Sequence, residues 1–222
     1  MIKFINILRQ AFFKSIDKNF YSQFGEDKIL NELISKDFIN GFYVDVGCFH
    51  PKKHSNTYML FKRGWYGVNI DMEKDKIETF NLSRPKDYNF LGAISNSIEN
   101  VKIYRNQKFG VNSSIIPNFI NKEIIIDENN IQTTTLDIVL NNSPFKNKKI
   151  DLLNIDTEGN DLKVLKSLSF KIYDPELIII ETHVKKIENI LQSEIYLYLT
   201  NREYELKSWN IYSLIFKKIS KS

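Results

Sequence analysis

From about residue 42 onward, short apolar runs alternate with amphipathic stretches, and the order of these segments predicts the architecture. Residues 42–46 form a mostly apolar run closed by Gly47, the pattern of a buried strand ending in a tight turn. Residues 54–62 have helical character and stop at Gly64. A second strand at 66–70 precedes a charged helical stretch at 73–82, and residues 89–94 read as a third strand. Further on, 150–155 is a buried strand, and 161–168 is a helix with Leu162, Leu165 and Leu168 on one face. A buried strand at 177–180 leads into one long helix over 186–199. The segments 204–207 and 211–216, split by Ser208-Trp209-Asn210, read as a closing hairpin. Strands alternating with helices of this length predict a parallel sheet covered on both faces. Residues 95–135 break the alternation; rich in Asn, Ile and Ser, they predict short strands and a loop lying over the site.

The first 20 residues stand apart. Phe4, Ile5, Leu8, Phe12 and Phe13 recur at helical spacing, whereas Lys3, Asn6, Arg9 and Gln10 interrupt the apolar run too soon for a spanning helix or a signal-peptide core. A helical extension over 1–20 packing on a single domain over 21–222 is the expectation, with a basic amphipathic membrane contact as its alternative. At 222 residues and 42% hydrophobic content, the chain suits one domain with a full core. Its formal charge of +4 is small and scattered, with no basic block interleaved with aromatics, which argues against nucleic acid as a partner. The single cysteine, Cys48, excludes an internal disulfide and a cysteine zinc site; it reads as a small filler behind the turn, in a reducing, cytoplasmic setting.

In an open parallel sheet, ligands bind beyond the carboxyl ends of the strands. The first strand ends in Val44-Asp45-Val46-Gly47, where Gly47 lets the backbone approach a ligand and Asp45 offers a carboxylate to a cationic or proton-donating group. A dinucleotide would call for Gly-x-Gly-x-x-Gly, but Cys48, Phe49, His50 and Pro51 follow Gly47. The demands match S-adenosylmethionine, which carries an amino group, a sulfonium and a ribose but no phosphate. Asp71, after the second strand, is placed to bridge two ribose hydroxyls, or else to cap the following helix.

Four segments carry a resemblance: YSQFGEDKIL, YVDVGCFHPKKHSNTYML, TTTLDIVL and LLNIDTEGNDLKVLKS. Across roughly residues 21–216 the chain resembles the FkbM-like methyltransferase family, departing from many members at His50-Pro51. The resemblance implies a single Rossmann-like class I methyltransferase domain, with a mostly parallel seven-stranded sheet and a C-terminal antiparallel hairpin. It also implies methyl transfer from S-adenosylmethionine to oxygen, commonly a hydroxyl of a sugar or secondary metabolite. Tyr21, Gln23, Glu26 and Asp27 would close over the cofactor, Asn56 and Thr57 would line the helix beneath it, and Ala93 and Ile94 would complete its site.

A hydroxyl is a poor nucleophile, so methyl transfer to it needs a base or a metal ion. The candidates are Asp156 and Glu158 after the fourth long strand and Glu181 and His183 after the fifth. His183 or Glu158 is expected as the base, with Asp156 and Glu181 orienting it or the substrate. Asp156, Glu181 and His183 are alternatively ligands for Mg or Mn, which suit oxygen-rich sites. In the structural reading, Asp156 and Glu158 only cap a helix, Glu181 ends a strand and His183 is a surface histidine. Asp137 reads as structural. The runs Asn112-Ser113-Ser114 and Thr133-Thr134-Thr135 either bind substrate hydroxyls or terminate strands, and Arg105, Lys108 and Lys122 would meet a diphosphate. Trp65 and Trp209 read as core or rim aromatics, with a sugar-stacking role open for Trp209. The expected acceptor is a small molecule or glycan precursor. A secondary metabolite, an amine acceptor, or a non-catalytic module that only binds S-adenosylmethionine remain alternatives.

Overall fold

The computed structural model describes residues 20–105, 113–116 and 125–220, with the backbone alone at 105 and 125–129. Residues 1–19 of the N-terminal extension, Lys108, Asn112 and Lys122, and the side chain of Arg105, therefore lie outside the described residues.

Seven strands make the main sheet. They are β1 (Phe42–Val46), β2 (Tyr66–Asp71), β3 (Tyr88–Leu91), β8 (Leu152–Ile155), β9 (Leu177–Glu181), β10 (Tyr204–Asn210) and β11 (Ser213–Lys218). Their order is β10-β11-β9-β8-β1-β2-β3. β9, β8, β1, β2 and β3 run parallel, and β11 inserts antiparallel between β9 and β10. A second, four-stranded sheet has the order β4-β7-β5-β6. It joins β4 (Ala93–Ile94), β5 (Asn100–Arg105), β6 (Ser113–Ser114) and β7 (Ile125–Thr134).

Alternation along the central strands sends side chains into two cores. Phe42, Val44, Val46, Ile178, Ile180, Leu214 and Phe216 join one cluster. Against it pack α4 (Leu136–Asn142), α5 (Asp161–Lys166), α6 (Ile187–Leu191) and α7 (Glu194–Thr200). Tyr43, Leu152, Ile179 and Ile215 face the other side, covered by Leu30 of α1 (Glu26–Leu33), Leu60 of α2 (Tyr58–Lys62) and Trp65. Ile77 and Phe80 of α3 (Lys74–Ser83) enclose Cys48, which is a buried filler. Among the described residues, no helix is long and apolar enough to cross a membrane.

Local polar chemistry moves several boundaries. The helix expected over 54–62 starts only at Tyr58: His54 holds a left-handed φ of 52°, and the Ser55 amide donates to Tyr21 O. The expected strand 89–94 is two strands, because the chain leaves the sheet at Gly92, whose amide donates to Asp71 O, and Ala93–Ile94 pair with Thr133 and Thr134. The single helix expected over 186–199 breaks in two where Ser193 accepts from the Tyr196 amide and donates to Ile190 O. In the closing hairpin, Ser208 to Asn210 belong to β10; a register shift between Leu206 and Ser208 absorbs the polar break, and Ile211-Tyr212 make the turn. Trp209 is thus a strand residue whose indole N–H donates to Ile211 O.

Candidate active site

The carboxyl ends of β1, β2, β8 and β9 open onto a cleft of about 340 Å³. Gly47 is indispensable to its wall. With φ at 84°, a Cβ there would lie 1.7 Å from the carbonyl oxygen of Asp156, so the tips of β1 and β8 meet backbone to backbone. The amides of Gly47 and Cys48 both donate to Ile70 O, at 2.9 and 3.1 Å, which pins the loop to β2 as well.

Among the expected cofactor residues, Gln23, Glu26, Gly47, Asp71, Ala93 and Ile94 line this cleft. Glu26 accepts from the Phe24 amide and from Ser213 Oγ, both at 3.0 Å, joining α1 to the start of β11. One Asp71 oxygen takes the Glu73 amide at 2.7 Å and the other the Lys76 ammonium at 3.0 Å. Burial pushes the Asp71 carboxyl up and Lys76 pulls it back. The turn into α3 and an exposure to the cleft thus coexist in one carboxylate.

Tyr21, Asp27, Asp45, Asn56 and Thr57 are not in the cleft lining. Asp27 takes the Tyr21 amide at 2.6 Å and Ser22 Oγ at 2.8 Å, closing the turn ahead of α1. Tyr21 lies edge-on to Tyr58 and accepts from Lys62. Asp45 belongs to a buried network behind the wall: it accepts from Thr57 Oγ1 and Asn154 Nδ2, both at 2.8 Å, and Asn154 accepts in turn from Asn56. Alternation is the reason, since Val44 and Val46 already occupy the opposite face of β1.

Arg84, fully buried, centres that network and escaped the sequence reading. Its guanidinium donates to Tyr43 OH, Thr57 Oγ1, Ser55 Oγ and the Pro51 carbonyl, and packs among the rings of Tyr58, Phe61 and Phe80. Asp87, also missed, accepts from Tyr43 OH, Asn69 Nδ2 and the Gly67 amide. A signal existed in the strands themselves. Asp45 in VDV, Asn69 in VNI and Asn154 in LNI each interrupt an apolar run, and the sheet register places Asp45 beside both asparagines.

The acidic residues converge in the same cleft, where Asp156, Glu158, Glu181 and His183 all line the wall. Glu158 and Gly159 hold φ values of 52° and 95°, a left-handed pair that turns the chain sharply after β8. This turn directs the Glu158 amide to Glu181 Oε2 at 3.2 Å, while His183 Nε2 lies 3.1 Å from Glu181 Oε1. Asp156 and Glu181 share a hydrogen bond between their carboxyl groups. Burial, then the charges of Glu181, Asp161 and Glu158, push Asp156 well above the usual carboxylate range. Burial, then Asp161 and Glu158, push Glu181 up to about 9. Glu158 is raised too, mainly by burial, with His183 opposing. Burial and the surrounding carboxylates thus favour the protonated forms of this pair, and the two groups titrate together. The helix-capping reading of Asp156 and Glu158 does not hold. Asp161 takes the amides of Thr157 and Gly159, and Asn160, the residue before α5, makes no side-chain cap.

Glu158, Glu181 and His183 each offer a ligand atom within 4.8 Å of the others. Glu158 thereby takes the place expected for Asp156 in a metal trio. Of the polar runs, Ser113 reaches the cleft and donates to Glu73, and Ser114 donates to Glu158 O. Thr133 bonds Ser97 O and the Glu99 amide, and Thr135 caps α4, so both are structural. Asp137 accepts from the Ser169 amide, as its structural reading requires.

Residues 45–206 match the methyltransferase FkbM domain. The chain belongs to this family. It is therefore a methyltransferase, and membership implies S-adenosylmethionine as the methyl donor. The matched span of this FkbM-family chain starts inside β1 and ends inside β10, so Glu26 and Ser213, which meet across the cleft rim, fall outside it. Among solved structures, a TehB-like SAM-dependent methyltransferase from Corynebacterium glutamicum is similar at 11% identity. The alignment covers 98% of this chain and 99% of that one, with a TM-score of 0.45. No curated protein matches the chain.

Proposed function

We propose that this methyltransferase acts on a hydroxyl of a sugar, a sugar nucleotide or a surface glycan precursor, in the cytoplasm and without nucleic acid as a partner. The domain carrying the activity would span residues 21–222. The observation behind the reading is the gathering of Asp156, Glu158, Glu181 and His183 in the wall of one cleft. An amine acceptor would need less help from a proton-handling group than a hydroxyl does, since a neutral amine is already nucleophilic.

The chain fits the donor. Its cleft lies within the usual range for small-molecule sites. Gly47 lines the cleft where β1 and β8 meet, and Asp71 stands at the neighbouring strand end to hold ribose hydroxyls. Gln23, Glu26, Ala93 and Ile94 would complete its surroundings, while Asp45 and Thr57 would fix the loop from behind. Bound there, S-adenosylmethionine supplies a methyl carbon already activated by its sulfonium.

The residues then divide the work by the protons they carry. Asp156 and Glu181 hold a proton at neutral pH, so they orient neighbours and donate hydrogen bonds. Proton acceptance from the hydroxyl falls to His183, whose side chain is 44% exposed at the rim, or to Glu158 beside it. Substituting either with Ala is expected to lower turnover at least about a hundredfold while S-adenosylhomocysteine affinity changes less than about threefold. The assay follows labelled methyl into a panel of hexoses and nucleotide sugars; wild-type rates in both variants would remove the assignment.

A second reading is favoured by the convergence of Glu158, Glu181 and His183. Three such groups suit Mg or Mn, and a divalent ion would relieve the repulsion that raises the carboxyl groups. It would supply Lewis acidity toward the acceptor oxygen. Loss of methyl incorporation in EDTA, restored by Mg or Mn, would choose the metal; unchanged rates would choose the base alone.

A further inference from the structure

Among the described residues, Arg63 Nη1, Arg84 Nε and Asn160 Oδ1 are buried without a hydrogen-bond partner. Of these residues only Asn160 lines the cleft, and it is 2% exposed. A buried carbonyl oxygen with no donor destabilises the fold, and a ligand donor would relieve this. Its orientation is set. Asn160 Nδ2 donates to the carbonyl oxygen of Ile94 at 2.8 Å, and turning the amide over would press two oxygens together.

The tie to Ile94 says which part of a ligand Asn160 lies nearest. Ile94 follows the turn at Gly92, whose amide is bound to Asp71 O, so Asn160 is tied to the Asp71 side of the cleft. With Asp71 on the ribose, the base attached to that ribose would lie against Ala93, Ile94 and Asn160, which line the same cleft. An amide oxygen accepts only. On the six-membered edge of adenine, the exocyclic amine is the donor that can satisfy it, whereas a 6-oxo purine presents an acceptor there.

We infer that Asn160 Oδ1 accepts a hydrogen bond from the exocyclic amine of the adenine and makes this site selective for adenine over 6-oxo purines. The inference rests on the donor reading above, and it adds a specificity residue drawn from the Asp156–Asn160 turn, next to the acidic cluster. Asn160 then has two roles: its nitrogen holds the Ile94 segment in place, and its oxygen reads the base.

The test is calorimetric and needs no acceptor. Binding of S-adenosylhomocysteine is compared with that of S-inosylhomocysteine, in which a carbonyl replaces the amine. Wild-type protein is expected to prefer the adenosyl ligand about tenfold or more. Asn160→Leu, similar in size but apolar, is expected to bring the ratio below about threefold, mainly by weakening the adenosyl ligand. Asn160→Ala serves the same purpose if the leucine variant does not fold. Wild-type protein that binds both ligands equally would overturn the inference, as would an unchanged ratio in the variants. If neither ligand binds wild-type protein, the donor reading itself fails and takes this inference with it.

Discussion

Replacing Glu181 with Gln should make the protein more stable at alkaline pH. The carboxyl group is held up to about 9 in the fold by burial and by Asp161 and Glu158, against an ordinary glutamate value in the unfolded chain. A group whose folded value is raised contributes stability in full below its unfolded value and loses it as pH climbs toward the folded one. The loss is about 1.4 kcal/mol per pH unit, so between pH 4.5 and 7 the wild-type fold gives up on the order of 3 kcal/mol at this position. The glutamine amide cannot ionise. Its oxygen can still accept the Glu158 amide, and its nitrogen can donate to Asp156 in place of the shared proton. Because Asp156 then inherits part of the titration, about 2 kcal/mol is the expected gain at pH 8, equivalent to about 4–8 °C in Tm for a chain of this size. Thermal unfolding of wild type and Glu181→Gln between pH 4.5 and 9 measures it. The two curves should meet near pH 4.5 and separate steadily above it. A constant difference across that range, or a variant less stable at pH 8, would refute the proton shared by Asp156 and Glu181.

Two further substitutions probe the walls of the cleft. Gly47→Ala puts a Cβ 1.7 Å from the Asp156 carbonyl at a φ of 84°, so urea unfolding should show a loss of at least about 3 kcal/mol; wild-type stability would mean that β1 and β8 do not meet there. Arg84→Met leaves Asp45 and Asp87 buried without their cation, with an expected loss of about 3–5 kcal/mol in the same assay, and a change below about 1 kcal/mol would contradict the network.

The strands that frame the cleft were legible because each is a short apolar run with a polar or glycine stop: Val46-Gly47, Ile70-Asp71, Ile155-Asp156 and Ile180-Glu181. The acidic ends fall together since those strands are parallel and adjacent, which the alternation of strands and helices already implied. What was hidden lay in interactions without a period. Ser193 divides a helix whose apolar spacing runs straight through it, and Gly92 sends Ala93 and Ile94 into another sheet although the apolar run continues. Asp45 sat at the expected strand end, yet its side chain serves Thr57 and Asn154 behind the wall, because strand alternation rather than proximity to Gly47 decides its face. Arg84 had no visible partner in sequence: its acceptors Tyr43, Pro51, Ser55 and Thr57 come from the other side of β2 in the chain. The trio expected to converge for a metal ion changed by one member, since Glu158, at a left-handed turn with Gly159, and not Asp156, gathers with Glu181 and His183.

The most direct measurement is a calorimetric titration of S-adenosylmethionine into the wild-type protein and into Asp71→Ala. A cleft built around Gly47 and Asp71 predicts saturable one-to-one binding to the wild type, weakened about tenfold or more in the variant as the ribose loses its carboxylate. Absence of binding at millimolar ligand, or equal affinity in the two proteins, would contradict the account of this cleft as the methyl-donor site.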